Sequence, residues 1–482
     1  MTQDIPESWL LPYCYDDGDL AEQIYLQQRD ILVESGLMHI ALVRMLTCPV
    51  LADIEFAGCQ LDGDRVVKLH DEYVEEYNRI GAELATKFGN INFGSSQQLS
   101  KLLFEDLKFS IPRDHRGKPL VTPKGAPKTD AESLSKLEAS NKRQEEFLEL
   151  YAKYNQLDAL LSKNLDFFKG VVEHDDAVFY GVFNQGQTGT HRLSSSGRKR
   201  KFPGSKKEKG SQLQNMPRSF KKLFTTHDDD YLVGEADGAQ LEFRVAAEMG
   251  HDDVAREEIE NDVDIHSVTS EVLINAGHPE FNGLTIKQGR QAAKSRTFAP
   301  LYGGMGRGEA EQQYAAFFKK KYNGISNTQR DWCLEVLENG KLRTPYGMIF
   351  YWPGTKMSRS GYIENSTSIH NYPVQGFATA EIIPIALVHF WHRTKGMPIT
   401  VWNTIHDSIV SRVHKDFVEE YKELSKTCLT TDVYNFLGSV YNLTFRVPLG
   451  VGVKIDKHWG GGKEEHVWSV WNDGRERYTV KT

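Results

Sequence analysis

The stretch Val233–Arg244, read VGEADGAQLEFR, constrains this chain more than any other. Apolar residues run up to a carboxylate, Asp237. Gly238 and Ala239 follow, and helical spacing begins at Gln240. A strand that ends on an acid and turns at once into a helix puts that acid at an element end, where a rigid scaffold presents chemistry. Glu242 then falls in the first turn of the helix. The same pattern also serves a plain N-cap, in which Asp237 only accepts helix N–H groups. Other residues further along decide between the two.

The chain has 482 residues, a length for about three domains. Its N-terminus is acidic, and no apolar run approaches the ~20 residues of a membrane span. The five cysteines (Cys14, Cys48, Cys59, Cys333, Cys428) show neither close pairing nor metal-ligand spacing, which reads as a reduced, cytoplasmic-type protein. The net charge of −8 argues against a generic nucleic-acid binder, but it is an average. Between Thr190 and Phe224 stand eleven Lys and Arg against one acid, a local +10 that leaves −18 on the remainder. A basic block on an acidic body is a candidate phosphate-binding face; a solvated loop is the other reading.

Taken in order, helices are expected near Asp19–Ser35 and over Asp64–Phe88, with a short strand closing the segment Pro49–Asp62. Ser95–Gln98 reads as a capping box opening a helix over Gln97–Leu107, and Thr129–Glu132 as a second one opening a helical tract to about Phe168. The Pro-, Gly- and Lys-rich segment Ile111–Lys128 between them reads as a basic loop. Strands are expected over Ala177–Asn184, Tyr231–Asp237 and Phe445–Ile455. A hairpin is expected over Ile399–His414 with His406-Asp407 at its turn, and one long helix over Phe417–Gly438. A tail hairpin would turn about Asn472-Asp473-Gly474. In the mostly helical segment 253–322, Lys287, Arg290, Lys294 and Phe298 recur every three or four residues, so one helix face is expected to gather them, with Tyr302 at its end. Like charges at that spacing repel, which an anion bound there would explain; a solvated basic face is the alternative.

Asp237 and Asp407 both fall at strand ends. Held together they repel unless cations lie between them, as in sites where two Mg2+ ions about 3.5–4 Å apart serve phosphoryl transfer. Arg290 and Lys294 could then grip a triphosphate.

These blocks resemble a known family. Asp237–Arg244 is similar to motif A of family A DNA polymerases, the group of bacterial DNA polymerase I and many phage replicases. Arg290-xxx-Lys294-xxx-Phe298-xxx-Tyr302-Gly303 resembles motif B, and His406-Asp407 resembles motif C. Arg192-Leu193-Ser194-Ser195 and Leu213–Pro217 are similar to the segment that holds template and primer, and Lys124–Pro127 to the thumb loop. The resemblance runs in the same order from about Leu10 to Trp459.

It implies an α+β right-hand architecture with an antiparallel-sheet palm, helical fingers and a helical thumb. Residues 1–30 would be the remnant end of an exonuclease domain and 31–63 the start of the palm. The thumb would be 64–168, and 169–250 would be palm with motif A. The fingers with motif B would be 251–372, the palm with motif C 373–459, and the tail 460–482. Asp237, Asp407 and the Gly238 carbonyl would hold two Mg2+ ions, with Lys294 sharing in catalysis. His266, Arg290, Lys294, Phe298, Tyr302, Glu242 and Gln240 would bind the nucleotide, Glu242 by blocking a ribose 2′-hydroxyl; Phe298 in place of Tyr implies poor use of dideoxynucleotides. Arg192, Gln214, Asn215, Asn371, Gln375 and His406 would contact primer-template DNA. The implied activity is DNA-directed DNA synthesis from deoxynucleoside triphosphates, in a bacterial or phage-infected cytoplasm.

The chain also departs from the pattern. Ser408 stands where motif C usually continues with Glu, and Gly238-Ala239 replace the usual Tyr-Ser. Pro300 lies where the fingers helix should still run and is expected to kink or end it. The insert Arg198, Lys199, Arg200, Lys201, Lys206, Lys207 and Lys209 is not part of the pattern and is expected to grip duplex phosphates. Tyr13-xxx-Asp17 resembles the last motif of a 3′–5′ exonuclease whose other acids are missing, so no proofreading is expected; a separate exonuclease polypeptide or a processivity factor could be a partner. Two other readings stay open: a single-subunit phage-type RNA polymerase, which Glu242 speaks against, and a catalytically silent DNA-binding scaffold.

Overall fold

The computed structural model describes residues 5–114, 117–203, 208–306, 308–462 and 466–480. Contacts divide the chain into two units. The first comprises Met1–Cys59, Tyr180–Ser196 and Leu213–Thr482, the second Gln60–Phe179 and Gly197–Gln212.

The first unit is built on a six-stranded antiparallel sheet. Its strands are β1 (Tyr231–Gly238), β2 (Ile399–Ile405), β3 (Ser408–His414), β4 (Leu449–Asp456), β5 (His466–Val470) and β6 (Glu476–Val480), in the spatial order β6-β5-β4-β1-β3-β2. The expected hairpin about His406-Asp407 is β2–β3, and the tail hairpin about Asn472–Gly474 is β5–β6. On β1 the alternation is strict. Gly234 lies so close to Tyr421 of the helix Val418–Leu429 that a Cβ there would fall 2.6 Å from its ring. Glu235 and Asp237 therefore point to the opposite face.

Behind the sheet runs a long apolar tract, Ser366–Arg393. It is the one described helix apolar and long enough to cross a bilayer, and 78% of its apolar window is buried, as a core helix would be. The helix widens into a π turn over Ala378–Ile382, just ahead of Pro384, which cannot donate to the carbonyl four residues before it. Glu381 in that turn is wholly buried. Its charge is met by Arg44, whose Nε lies 3.0 Å away, and by the Tyr441 hydroxyl at 2.7 Å.

Several boundaries differ from expectation for identifiable reasons. The first helix begins at Glu7, runs through Pro12 to Glu34 and has no buried residue. The expected helix Phe417–Gly438 is two, Val418–Leu429 and Thr431–Val440, broken at Thr430 with ψ −81°. The helix expected to carry Lys287 through Tyr302 stops at Ala293. Beyond it lie turns and a 3-10 turn, Pro300–Tyr302. Pro300 has no N–H to give the Arg296 carbonyl, and its ring crowds that turn, so a regular helix cannot reach Tyr302.

The second unit packs the helix Gly63–Phe88 against Lys142–Leu160 around Phe88, Phe93, Leu103 and Phe147, with the Tyr77 and Tyr154 hydroxyls 2.6 Å apart. The capping boxes foreseen here take other forms. Ser95 makes no side-chain cap, and Asp130, not Thr129, caps the short helix Ala131–Leu134 through Ser133 N. The basic insert returns to this unit through buried Phe202, which lies against Gly170 and 5.6 Å from the Phe167 ring.

Candidate active site

Asp237 is the last acid of β1 and Asp407 closes the β2–β3 turn. Register places Asp237 opposite Ser408, and Gly238 N donates to the Asp407 carbonyl at 2.9 Å. The two side chains come within hydrogen-bonding reach of one another. Asp237 therefore does not serve as a helix cap; that position belongs to Gln240, exposed and left-handed at φ 52°. Burial, and then the Asp407 charge, hold the Asp237 carboxyl well above the ordinary carboxylate range; Asp407 is raised by burial too. Such a pair has a deficit of positive charge. On the same face Glu235 is buried and accepts from Lys221 Nζ at 2.7 Å, and that ammonium lies 4.6 Å over the Trp459 ring.

The turn after Asp237 is clamped from below. Arg244 is buried. Its Nε donates to the Ala239 carbonyl at 2.7 Å, Nη1 to the Pro448 carbonyl, and Nη2 to Ser469 Oγ at 3.4 Å. Burial pulls its guanidinium down to about 10. Gly450 permits this approach, since a Cβ there would meet Arg244 Nη2 at 2.8 Å. Sequence reading passed over Arg244, although a lone Arg on the apolar face of a helix was a visible signal.

A cavity of about 180 Å3 opens beside Asp237 and is lined also by Gln240, His266, Arg290 and Lys294. The three residues expected to hold phosphates, His266, Arg290 and Lys294, thus share one space with an acid. Arg290 Nε donates to Asp264 Oδ2 at 2.5 Å. His266 Nδ1 lies 2.8 Å from Thr297 Oγ1 and its ring 5.7 Å from Phe298; burial, then the Arg290 charge, lowers its pKa. Phe298 also packs 5.5 Å from Phe243, so it stays beside the site although the helix has ended. Tyr302 is half-buried in the 3-10 turn.

Glu242 feels the charge of Asp407. Its carboxylate accepts from Gln375 Nε2 at 3.2 Å, and burial raises its pKa despite Gln375 and the Arg192 charge. The buried Nε of Arg192 and Oδ1 of Asn371 meet no protein partner. His406 is exposed at the turn with φ 54°. Asn215 is exposed, whereas Gln214 is buried and its Nε2 donates to the Thr404 carbonyl at 3.2 Å, bracing the hairpin. In the basic insert, Arg198, Lys199 and Lys201 are exposed. Arg200 is spent on Asp175 and Lys209 on Asp166, because acids of the second unit neutralise them. Lys206 and Lys207 lie outside the described residues.

One antiparallel sheet thus brings two acids together beside a basic cavity. The sequence matches the model of DNA polymerase family A over residues 64–461, and the chain belongs to that family. Among its relatives, the DNA polymerase I of Bacillus caldotenax is 28% identical over 448 residues, covering 88% of this chain and 45% of that one. The thermostable DNA polymerase I of Thermus aquaticus is 28% identical over 434 residues, 86% of this chain and 47% of that one. The chain thus spans about half the length of these relatives. Its fold is similar to the POL domain of Pol1 from M. smegmatis, solved in complex with DNA primer-template and dNTP, with a TM-score of 0.66, 22% identity, and coverage of 87% of this chain and 70% of that one.

Proposed function

We propose that this chain is a DNA-directed DNA polymerase, extending a primer 3′ end with deoxynucleoside triphosphates and releasing pyrophosphate. The single observation that carries the reading is the meeting of Asp237 and Asp407 beside a cavity bearing His266, Arg290 and Lys294. Two buried carboxylates side by side, each held above the ordinary carboxylate range by burial, fit divalent metal. Mg2+ characteristically takes one or two carboxylates and leaves its other positions to water and substrate phosphates. Asp237, Asp407 and the Gly238 carbonyl would hold the two ions. When bound, these would acidify the primer hydroxyl and neutralise charge on the leaving pyrophosphate.

The chain's own groups do the rest. Lys294 and Arg290 bind triphosphate oxygens by charge-assisted hydrogen bonds, and His266, kept neutral, contributes a directional one. Glu242, held by Gln375, fills the space a 2′-hydroxyl would need. Phe298 and Tyr302 flank the base, while Arg192, Asn371 and His406 reach the primer-template near its growing end. Of the two units, the first would act as palm and fingers, the second as thumb. The exposed Arg198, Lys199 and Lys201 of the insert add phosphate contacts.

Primer extension tests the reading. The unaltered chain should incorporate deoxynucleotides with Mg2+ and discriminate strongly against ribonucleotides, and Glu242→Ala should relax that discrimination. Absence of extension by the unaltered chain, or equal use of both sugars, would overturn it.

A further inference from the structure

The hairpin β5–β6 lies beyond residue 461, where the family match ends, yet it reaches the catalytic end of the sheet. On β4, Gly452 pairs with Asp237 on one side and with Val467 on the other. Across an antiparallel sheet such partners point to the same face, two strand spacings or about 10 Å apart. The next row repeats the arrangement, since Gly450 pairs with Ser469 and its carbonyl accepts from Ala239 N at 2.9 Å. The guanidinium of Arg244 lies over Gly450, and neither glycine adds a side chain to this face of β4. The space above it is the cavity already described, with Asp237 on one side and Val467 and Ser469 on the other.

The hairpin also grips the opposite wall. Arg477 on β6 donates to the Glu260 and Ile259 carbonyls, the latter at 3.3 Å. These carbonyls end the helix Asp253–Glu260, where a cation is favoured. Its guanidinium also lies 3.7 Å from Asp262 Oδ1. Two residues on, Asp264 holds Arg290, and His266 follows.

We infer that the C-terminal hairpin is a built wall of the nucleotide pocket, facing the triphosphate of the incoming nucleotide. Val467 and Ser469 bound the space that the phosphates occupy. Arg477 is a positioning residue: it fixes the loop 261–264 and, through it, Arg290 and His266. The inference rests on the polymerase reading above. It assigns to this tail a share in nucleotide affinity beyond simple packing.

The test uses the full chain on a primer-template, with steady-state extension and DNA affinity read separately. Arg477→Ala should raise KM for deoxynucleotide about tenfold, with kcat and primer-template affinity held within about twofold. Arg477→Lys should recover part of the loss. Val467→Trp, which fills the cavity and leaves the bonds of Arg477 to the Glu260 and Ile259 carbonyls in place, should raise KM likewise. Unchanged KM in both Arg477→Ala and Val467→Trp overturns the inference, and so does a parallel fall of kcat, nucleotide affinity and DNA affinity, which marks a plain packing tail. Failure of the polymerase reading is separate: the unaltered chain would then extend no primer.

Discussion

The two halves of the site are built by different means. The acid half rests on registered ladders: Asp237 is fixed by β3 on one side and β4 on the other, and Arg244 locks the turn beyond it. The basic half hangs on the helix Ile286–Ala293, which stops before Lys294; Arg290 is held by one half-exposed ion pair to Asp264. A ladder fixes an atom because each strand is bonded on both sides. A side chain in or just past the last turn of a helix has no such ladder on either side. Under the proposed function the difference would suit two tasks: carboxylates that hold metal would stay in place, while cations that bind phosphates would close on an arriving substrate and release pyrophosphate.

The sharpest way to break this contrast is Asp407→Asn. If Asp407 holds metal as proposed, its removal withdraws several kcal/mol of charge stabilisation, so incorporation should fall by about a thousandfold or more. Stability should move the other way. Both acids keep their protons to higher pH in the folded chain than in the unfolded one. Stability therefore falls as pH climbs from the ordinary carboxylate range through the raised values. Without metal, the variant should melt about a degree or two above the unaltered chain at pH 8 and show no gain near pH 4. Added Mg2+ should stabilise only the unaltered chain. Thermal scans at both pH values, with and without metal, would check this.

The next effect in size tests the rigidity of the acid half. In Gly450→Ala the new methyl would lie 2.8 Å from Arg244 Nη2 and 3.0 Å from Ala239 Cβ. Arg244 is bonded to two carbonyls and cannot give way cheaply, so a loss of about 1–3 kcal/mol is expected in denaturant unfolding. The smallest effect belongs to the adaptable half. Asp264→Asn releases Arg290 from a pair about 40% exposed on each side, worth at most about 1 kcal/mol. Nucleotide KM should shift by no more than about fivefold, with thermal stability unchanged. A large loss of stability in this variant would show that the basic half is as rigid as the sheet.

Much of this was legible in the residues themselves. The hairpin about His406-Asp407, the tail hairpin about Asn472–Gly474 and the strand ending at Asp237 all carry local signals: alternation, turn residues, and an abrupt change of period. The order of the blocks around Asp237, Lys294 and Asp407 likewise pointed to family A. Breaks inside helices were harder. Pro300 was a visible breaker, but the division at Thr430 and the π turn at Ala378–Ile382 depend on what the helix packs against. The inward turn of Gln214 and the pairing of Arg200 and Lys209 with acids were hidden, because a sequence shows charge and polarity but not the partner that takes them up.

By itself, then, the sequence determined which residue types stand at which element ends, since propensity, capping and periodicity act over a few neighbours. Only the tertiary structure decided that Asp237 and Asp407 share one space, that Arg244 clamps the turn after Asp237, and that Val467 and Ser469 line the same cavity as Asp237. Each of these depends on strands or helices far apart in the chain becoming neighbours. Local pattern says that a strand will pair, whereas the choice of partner and register is settled by the packing of the whole sheet.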